Sequence, residues 1–359
     1  MFLCIFLLLA GEISGLGDKN GPREGLGEGL RVMFWNLENF FDWRADSTSV
    51  SELEFSSFGE RHWTRKRFEA KCNAVAKAVL WTASQEGGLP DVIGVAEVEN
   101  AFVLRRLLQL SALRKLDYRI VHFDSPDPRG IDVALLYRAS RLTLTDAAPC
   151  HLYQGDTLLR TRDILLARFT LPDQPEPPPS ETKGNDNRVI RGKNEEGGKQ
   201  AAGTREIAFL VNHHPSKYGG AAVSEGRRRI AVERLGFLAD SLRAEGVERI
   251  VAMGDFNDTP ANPVYGLLAP GLENLAEPLH QKGEGTIKYD GAWELIDMYF
   301  VTPECGAGEM KILHIPFLSV RDKGHGGTQP LRTYSGPRYL GGVSDHCPIW
   351  LELFNRRPR

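Results

Sequence analysis

An apolar segment in the second half of the chain runs directly into closely spaced polar side chains. Residues 250–253 read IVAM, Gly254 follows, and Asp255 and Asn257 come two positions apart. Residues two apart in an extended chain point to the same side, so this spacing would turn a carboxylate and an amide towards one substrate atom. Gly254 would allow a close approach of the backbone. Taken alone, the motif is explained equally well by a Gly-Asp-x-Asn turn after any strand.

Histidines flank two further apolar segments. One segment ends in His213 and His214, which suggests a phosphate or metal site, and strand alternation places the two rings on opposite faces. We therefore expect only His213 to act. The pair Asp345-His346 comes just before residues 349–353, and a carboxylate beside an imidazole suits a histidine that must keep one tautomer. Taken alone, this pair is explained slightly better by a solvent-exposed turn.

Carboxylate and amide side chains follow other apolar segments. Glu97 follows residues 92–96, where a hard oxygen ligand suits Mg²⁺ or Mn²⁺ because these ions take few protein carboxylates and keep several waters. Asn36 and Asp297 occupy similar positions, and each of the three could equally be an ordinary polar residue at a strand end. The repetition favours a site, because neighbouring strand ends are where a sandwich or barrel presents one. The polar residues in this pattern are Asn36, Glu97, His213, Asp255, Asn257, Asp297, Asp345 and His346.

Hydrophobic patterns predict the elements that would position these residues. Helical spacing of apolar residues predicts helices over 64–84, 101–116 and 225–245, with Thr64 as the N-cap of the first. Apolar runs predict strands, which cover residues 31–34, 92–96, 131–137, 164–171, 207–211, 249–253, 293–301 and 347–354. This mixture predicts an α/β fold, a four-layer α/β sandwich of two packed mixed β-sheets flanked by helices.

The chain divides into a leader and one domain. Residues 2–10 are apolar and too few to span a bilayer, but they suit a signal-peptide core, although no Lys or Arg precedes them. We predict a signal peptide and flexible tail over 1–29, one domain over 30–359, and a secreted or periplasmic monomer without a stable membrane span. Residues 172–205 contain few apolar side chains and are predicted to be a disordered loop inserted in this domain. The polar, Gly-rich segment 319–343 is predicted to be a long loop at the rim of the site.

Composition limits how such a protein could hold a phosphate. The 359 residues carry a formal net charge of -3. A protein that holds long nucleic acid by electrostatics alone usually has a basic excess, so phosphate recognition here must come from a local site or from metal ions. No Cys-x-x-Cys pair supports a zinc ribbon, and the four cysteines beyond the leader are expected to be buried free thiols.

Eight short segments, taken in order, resemble the endonuclease/exonuclease/phosphatase superfamily, which includes deoxyribonuclease-I-like nucleases and neutral sphingomyelinases. The resemblance covers residues 30–353. GDFN followed by SDH, with an upstream Asn and Glu, is specific to that superfamily but not to one substrate. The segments are WNLEN, VAEVEN, RGIDVALLY, TRDILLARF, NHHPS, GDFND, ELIDMYF and SDHCP.

The resemblance implies a divalent metal site and an attacking water. Asn36 and Glu97 would help to bind the metal, Mg²⁺ with Mn²⁺ or Ca²⁺ as alternatives, and Asp345 would face it. Asp255 would orient or deprotonate the water, with Asn257 beside it on the phosphate.

The resemblance also implies how the phosphate is held. Arg162 and His213 would contact the scissile phosphate, with His213 as the candidate acid. Asp297 would hold His346 in position, and the imidazolium of His346 would stabilise the pentacovalent state.

Three residues near these motifs have no secure role. Asp132 lies within one residue of the position of the acid that supports the first histidine in nucleases. Arg129 and His214 have no counterpart that assigns them a function.

The predicted reaction is hydrolysis of a phosphodiester in DNA or RNA by in-line attack of water. Hydrolysis of a small or lipid phosphoester is the alternative, because the chain lacks a basic excess. A non-catalytic binding module on the same fold is a third hypothesis, and the presence of Glu97, Asp255 and His346 together argues against it.

Overall fold

A computed structural model describes residues 29–44, 50–171, 206–216, 221–268 and 270–354. Twelve strands form two six-stranded sheets. The strands are β1 (Leu30–Phe40), β2 (Val92–Val98), β3 (Tyr118–His122), β4 (Asp132–Arg138), β5 (Thr143–Cys150), β6 (Ile164–Thr170), β7 (Glu206–His213), β8 (Arg249–Asp255), β9 (Glu273–Asn274), β10 (Asp297–Val301), β11 (Lys311–Ile312) and β12 (Ile349–Leu353).

The two sheets have similar construction. Sheet one has the order β11-β12-β1-β2-β4-β3, and sheet two has the order β9-β10-β8-β7-β6-β5. In each sheet one central pair is parallel, β1 with β2 and β7 with β8, while the other neighbours are antiparallel. Parallel neighbours end at the same edge of a sheet. The last residues of β1 and β2 therefore lie together in sheet one, and those of β7 and β8 lie together in sheet two.

Helices cover the outer faces of both sheets. The helices are α1 (Val50–Glu54), α2 (Arg65–Gln85), α3 (Ala101–Leu110), α4 (Ala221–Ala244) and α5 (Glu277–Gln281). Strand alternation divides β1 between two apolar cores: Phe34 belongs to the core shared with sheet two, while Trp35 belongs to the core shared with α2 and α3. Buried residues of α4 pack with sheet two. The predicted four-layer α/β sandwich of two mixed sheets flanked by helices is therefore confirmed.

Most predicted elements are present, with shifted ends. Thr64 is the N-cap of α2, where its hydroxyl accepts a hydrogen bond from Arg67 N, as predicted. The first strand continues to Phe40, well beyond its predicted end, and the predicted helix over 101–116 is α3 followed by a short 3₁₀ turn at Ala112–Lys115. Both β3 and β5 were missed, because their half-exposed residues follow no clear apolar run.

The segment 319–343 lies beside the site residues Glu38 and Asp345, as predicted, but it is not a loop throughout. This segment contains two short hairpins, Ser319–Arg321 with Thr328–Pro330 and Tyr334–Ser335 with Arg338–Tyr339. Paired strands of two or three residues leave too little pattern to read from sequence. The predicted leader and tail over 1–29, except for residue 29, and the predicted inserted loop over 172–205 lie outside the described residues.

Two expectations from composition can be compared with the structure. Cys72, Cys150, Cys305 and Cys347 are buried free thiols, as expected. Within the described ranges, no helix combines the length and apolar character that a membrane crossing requires.

The space between the sheets depends on a glycine in β2. Gly94 pairs with Phe34 of β1, and a Cβ added to Gly94 would lie 2.8 Å from Met253 Cε and 3.0 Å from a carbon of the Phe34 ring. Met253 belongs to β8 in the other sheet. The missing side chain of Gly94 therefore makes room for a side chain that crosses the interface between the sheets.

We predict that Gly94→Val lowers the free energy of unfolding by about 1–3 kcal/mol, because the added methyls overpack this interface. Urea denaturation measures the loss, and Met253→Ala in the same chain should return part of it, since the two sites share one space. Gly236→Ala in α4 is the control, because its added Cβ meets nothing closer than 3.5 Å. Equal stability of Gly94→Val and wild type would contradict the prediction.

Candidate active site

Strand ends from both sheets meet at one edge of the sandwich. In sheet two, Asp255 at the end of β8 pairs with His213 at the end of β7 and with Asp297 at the start of β10. These three predicted residues therefore form one row across three neighbouring strands. A Cβ on Gly254 would lie 2.2 Å from Asn212 O, so β7 and β8 can approach this closely only with glycine at that position.

The carboxylate of Asp255 is the centre of the site. Its Oδ2 accepts a hydrogen bond from Asn36 Nδ2 at 3.0 Å, and its Oδ1 accepts from Asn257 N at 2.9 Å. Oδ2 also lies 3.6 Å from His213 Nε2 and 3.9 Å from His346 Nε2. Burial raises the pKa of Asp255 to about 7, although the positive charge of His346 opposes this. A carboxylate with such a pKa can accept a proton near neutral pH.

The environment of His346 favours its charged form. Its Nδ1 lies 2.8 Å from Asp297 Oδ2, and both side chains are buried. Burial alone disfavours the imidazolium, but the charges of Asp297, Asp255 and Asp345 together raise the pKa of His346 well above its usual range. The backbone of His346 is held as well, since its N–H donates to Ser344 Oγ and its carbonyl accepts from Trp35 Nε1.

His213 has the opposite electrostatic environment. Burial, together with the positive charges of Arg162 and Arg129, lowers the pKa of His213 well below its usual range. Its Nδ1 is buried and has no hydrogen-bond partner among the described residues. A neutral His213 can donate one hydrogen bond from Nε2, but it is a poor source of a full proton. The site therefore combines a histidine with a raised pKa and a histidine with a lowered pKa around Asp255.

Glu97 closes the site from the end of β2. Its Oε2 accepts a hydrogen bond from Asn39 N at 2.8 Å, while its Oε1 lies 3.9 Å from His213 Nε2 and 3.9 Å from an Arg129 guanidinium nitrogen. Glu97 has a positive φ of 58°, which is uncommon for a residue with a side chain. Glu38, Asn39 and Asn257 also have positive φ, so strained backbone is concentrated around this site.

Three carboxylates of the type that a hard divalent cation prefers approach the two histidines, but within the described residues they do not form one compact set of ligand atoms. Glu97 Oε1, Asp255 Oδ2 and Asp345 Oδ1 each lie between 3.6 and 3.9 Å from Nε2 of His213 or His346. Glu97 Oε1 accepts no hydrogen bond from any described residue, so it is available as a ligand. Carboxylate oxygens of this kind suit Mg²⁺ or Mn²⁺ better than softer metals.

A second set of potential ligand atoms is already used inside the protein. Atoms of Asp255, Asp297 and His346 lie within 4.8 Å of one another, which would allow a metal. However, Asp297 Oδ2 lies within hydrogen-bond distance of His346 Nδ1. We therefore interpret the Asp297–His346 pair as a means of holding the histidine, as the sequence predicted.

Asn36 and Asp345 have additional partners. Asn36 Oδ1 accepts a hydrogen bond from Glu38 N at 2.9 Å, which leaves this oxygen one further lone pair. Asp345 Oδ2 forms an ion pair with Arg332 at 3.0 Å, and Arg332 Nε donates to Glu38 Oε1 at 3.0 Å. Arg332 therefore links Asp345 to Glu38, and the other oxygen of Asp345 lies near His346.

A fully buried lysine supports this part of the site. Lys71 Nζ donates to Glu38 O at 2.6 Å and to Thr333 Oγ1 at 2.8 Å. Burial lowers the pKa of Lys71 to about 8 and raises that of Glu38 to about 7. No sequence motif indicated Lys71 or Arg332, because Glu38, which both of them contact, is more than 30 positions away along the chain.

Arg162 is buried and binds the backbone of the two histidines. Its Nε donates to His213 O at 3.2 Å, its NH2 donates to His214 O at 2.6 Å, and its NH1 pairs with Asp127 Oδ2 at 2.8 Å. Every nitrogen of this guanidinium already has a protein partner. The phosphate contact that the resemblance assigns to Arg162 would have to use its remaining N–H groups.

The other residues near the predicted site have structural partners. Asn257 Nδ2 donates to His214 O, and the ring of His214 packs edge-on against Phe256 with centroids 4.7 Å apart. His214 is thus turned away from Asp255, as strand alternation predicted. Asp132 Oδ2 pairs with His122 Nε2 at 3.0 Å, and no contact joins it to His213 within the described part of the chain.

Known proteins share the sequence family and the fold of this chain. The sequence model described as "Endonuclease/Exonuclease/phosphatase family" matches residues 31–175 and 183–355. No curated protein matches the chain in sequence. Several solved structures match over nearly the whole chain.

Three of these structures have similar scores. An endonuclease/exonuclease/phosphatase family protein from Bacteroides thetaiotaomicron has a TM-score of 0.52 at 15% identity, covering 91% of this chain and 98% of that chain. A mannosyl-6-phosphatase from the same organism has a TM-score of 0.51 at 15% identity, covering 90% and 99%. The human Nocturnin catalytic domain with bound sulfate anion has a TM-score of 0.52 at 17% identity, covering 91% and 94%. At these identities the likeness shows the fold alone.

We predict that Arg162→Met lowers the free energy of unfolding by about 3–5 kcal/mol, because it leaves the buried Asp127 carboxylate without its partner. Chemical denaturation measures this loss. Arg229→Ala is the control, since Arg229 forms an exposed ion pair with Glu233 that should contribute less than about 1 kcal/mol. A loss at position 162 as small as the control's would contradict the proposed structural role of Arg162.

Proposed function

Because this chain belongs to the endonuclease/exonuclease/phosphatase family, whose members are phosphoesterase hydrolases, we propose that it is a divalent-metal-dependent phosphodiesterase that acts on nucleic acid. The observation that carries this proposal is the convergence on Asp255 Oδ2 of Asn36 Nδ2, His213 Nε2 and His346 Nε2, at 3.0, 3.6 and 3.9 Å. This arrangement suits attack by water on a phosphate held between the two histidines.

The residues divide the reaction between them. Asp255 accepts the proton of the attacking water, and the hydrogen bond from Asn36 directs its carboxylate. The imidazolium of His346 stabilises the negative charge that develops on the phosphate oxygens, and Asp297 keeps this ring charged and in place. Neutral His213 donates a hydrogen bond to the phosphate, with Asn257 beside it.

We assign the cation to the part of the site that contains the carboxylates of Glu97 and Asp345. Glu97 and Asp345 would hold Mg²⁺ or a similar hard cation, with the amide oxygen of Asn36 nearby. Such an ion, when bound, neutralises charge on the phosphate and on the leaving oxygen. Arg332 keeps Asp345 in place for this task.

Nucleic acid is favoured as the substrate by the surface beside Glu38. A pocket of about 140 Å³ lies there, lined in part by Arg61, Arg332 and Tyr334. The Arg61 guanidinium lies 5.5 Å from the centroid of the Tyr334 ring, and that of Arg67 lies 4.4 Å from that of Tyr339. The Tyr334 ring is buried, so this pocket would hold a nucleic-acid strand through its arginines and the phosphate backbone rather than by base stacking.

A small phosphoester is the second candidate. The pocket has room for a small group, and the net charge of -3 disfavours a long electrostatic footprint. Binding of a single strand or a flexible end satisfies both observations better than binding of an extended duplex.

Incubation with single-stranded DNA, single-stranded RNA and plasmid DNA tests the proposal, with Mg²⁺ present and with EDTA added. We expect strand cleavage that EDTA abolishes and added Mg²⁺ restores, with single strands cut faster than the duplex. Hydrolysis of bis-p-nitrophenyl phosphate or of a sugar phosphate, without cleavage of any nucleic acid, would move the assignment to a small phosphoester. No hydrolysis of any of these compounds would favour a binding module.

We predict that Asp255→Asn lowers kcat by on the order of 10³-fold, because it removes the proton acceptor. The neutral amide avoids the burial cost that raises the pKa of Asp255, but it has one acceptor oxygen for two donors, Asn36 Nδ2 and Asn257 N. We therefore expect the thermal midpoint to fall only slightly. Steady-state kinetics and thermal denaturation measure the two effects. A variant that keeps its activity, or that loses activity only because it unfolds, would contradict the role of Asp255.

A further inference from the structure

The phosphate in this site needs a positive group besides His346 and the cation. A phosphodiester carries a negative charge, and a guanidinium is well suited to hold it, since it can present two parallel N–H donors. Arg162 is a poor candidate in this chain, because it is buried and all three of its nitrogens already donate to Asp127, His213 O and His214 O. Another arginine near the centre is therefore needed.

Arg129 meets this requirement. Its NH2 lies 3.3 Å from Asn39 Oδ1 and 3.9 Å from Glu97 Oε1, at the open side of the site. The side chain is 42% exposed, so a substrate can reach it. Its Nε and NH1 have no hydrogen-bond partner among the described residues.

The loop between β3 and β4 holds Arg129 in position. Asp127 Oδ1 accepts a hydrogen bond from Arg129 N at 2.7 Å, while Asp127 Oδ2 pairs with Arg162 NH1 at 2.8 Å. A single carboxylate therefore links the two arginines. Arg162 donates to this carboxylate and to the carbonyls of His213 and His214. The carboxylate in turn accepts a hydrogen bond from the backbone N–H of Arg129 and so holds the backbone at that residue.

We propose that Arg129 is a catalytic residue whose guanidinium binds a non-bridging oxygen of the scissile phosphate, while Arg162 is a positioning residue that acts through Asp127 and the backbone of His213. This inference rests on the proposed function and adds to it the group that recognises the phosphate. It predicts different consequences for the loss of each arginine. Loss of Arg129 weakens phosphate binding in a folded protein, whereas loss of Arg162 destabilises the protein.

A structural explanation of Arg129 is the competing hypothesis. Its contact with Glu97 is an exposed ion pair at 3.9 Å, and such pairs contribute little to stability. If this contact were the whole role of Arg129, removing it would change activity only slightly, and added guanidinium would restore nothing.

Kinetics of Arg129→Ala and Arg129→Lys with bis-p-nitrophenyl phosphate and Mg²⁺ test the proposal. We expect kcat/KM to fall by about 100-fold or more in Arg129→Ala, as for the loss of one preorganised donor to a developing charge. Arg129→Lys should fall less, because it keeps the charge but loses the paired donors. Added guanidinium chloride should restore part of the activity of Arg129→Ala, and the thermal midpoint should stay at the wild-type value.

Arg229→Ala is the matched control, since it removes an exposed arginine of α4 that lies in no part of the site. Its kcat/KM should stay within about twofold of wild type, as for an ordinary surface substitution. The proposal is overturned if Arg129→Ala behaves like this control. It is equally overturned if Arg129→Ala loses activity together with thermal stability and guanidinium restores none of it.

Calorimetric titration with inorganic phosphate in the presence of Mg²⁺ separates this inference from the proposed function. Arg129→Ala should bind phosphate about tenfold or more weakly than wild type, which corresponds to the loss of one hydrogen bond to a charged group. If wild type hydrolyses no phosphodiester but shows this difference, the proposed function fails and the assignment of Arg129 stands. Equal phosphate binding by Arg129→Ala and wild type overturns the assignment.

Discussion

The hydrogen bond from Asn36 Nδ2 to Asp255 Oδ2 joins the two sheets at the point where their strand ends meet. Asn36 belongs to β1 of sheet one, and Asp255 ends β8 of sheet two. The carboxylate is buried, so it needs donors on both oxygens, and the backbone N–H of Asn257 supplies the second. Because the sandwich packs its sheets face to face, this contact fixes the distance between Asn36 on sheet one and the row of Asp255, His213 and Asp297 on sheet two.

The two histidines take their different states from this arrangement. His346 faces Asp297, Asp255 and Asp345, whose charges outweigh the cost of burial and keep its ring protonated. For His213, burial lowers the pKa, and the positive charges of Arg162 and Arg129 lower it further. Two copies of one residue type around a single carboxylate can thus serve as a cation and as a neutral hydrogen-bond donor, and the difference comes from the charged groups that face each ring.

Residues at strand ends could be predicted from the sequence, whereas their partners in loops could not. Asp255 and Asn257 follow an apolar run within a few residues, so a local pattern marks them and also predicts the strand that carries them. Arg332 reaches Glu38 and Asp345 from a segment that the sequence presented only as a polar loop. Lys71 occupies the buried face of an amphipathic helix, where an apolar residue is the ordinary expectation. Contacts between distant segments of the chain are set by the packed fold, and no local pattern records them.

Strand residues and loop residues therefore have separate tasks. The strand-end residues His213, Asp255 and Asp297 form a registered row, so their relative positions are fixed by backbone pairing and change little with the side chains around them. The loop between β3 and β4 carries Asp127 and Arg129, whose positions depend on single side-chain hydrogen bonds. Changes in such a loop can alter the surroundings of the proposed site without disturbing this registered row. A family that keeps this row can accordingly act on different phosphoesters, and the choice of substrate must be sought in the loops around Arg129 and Arg332.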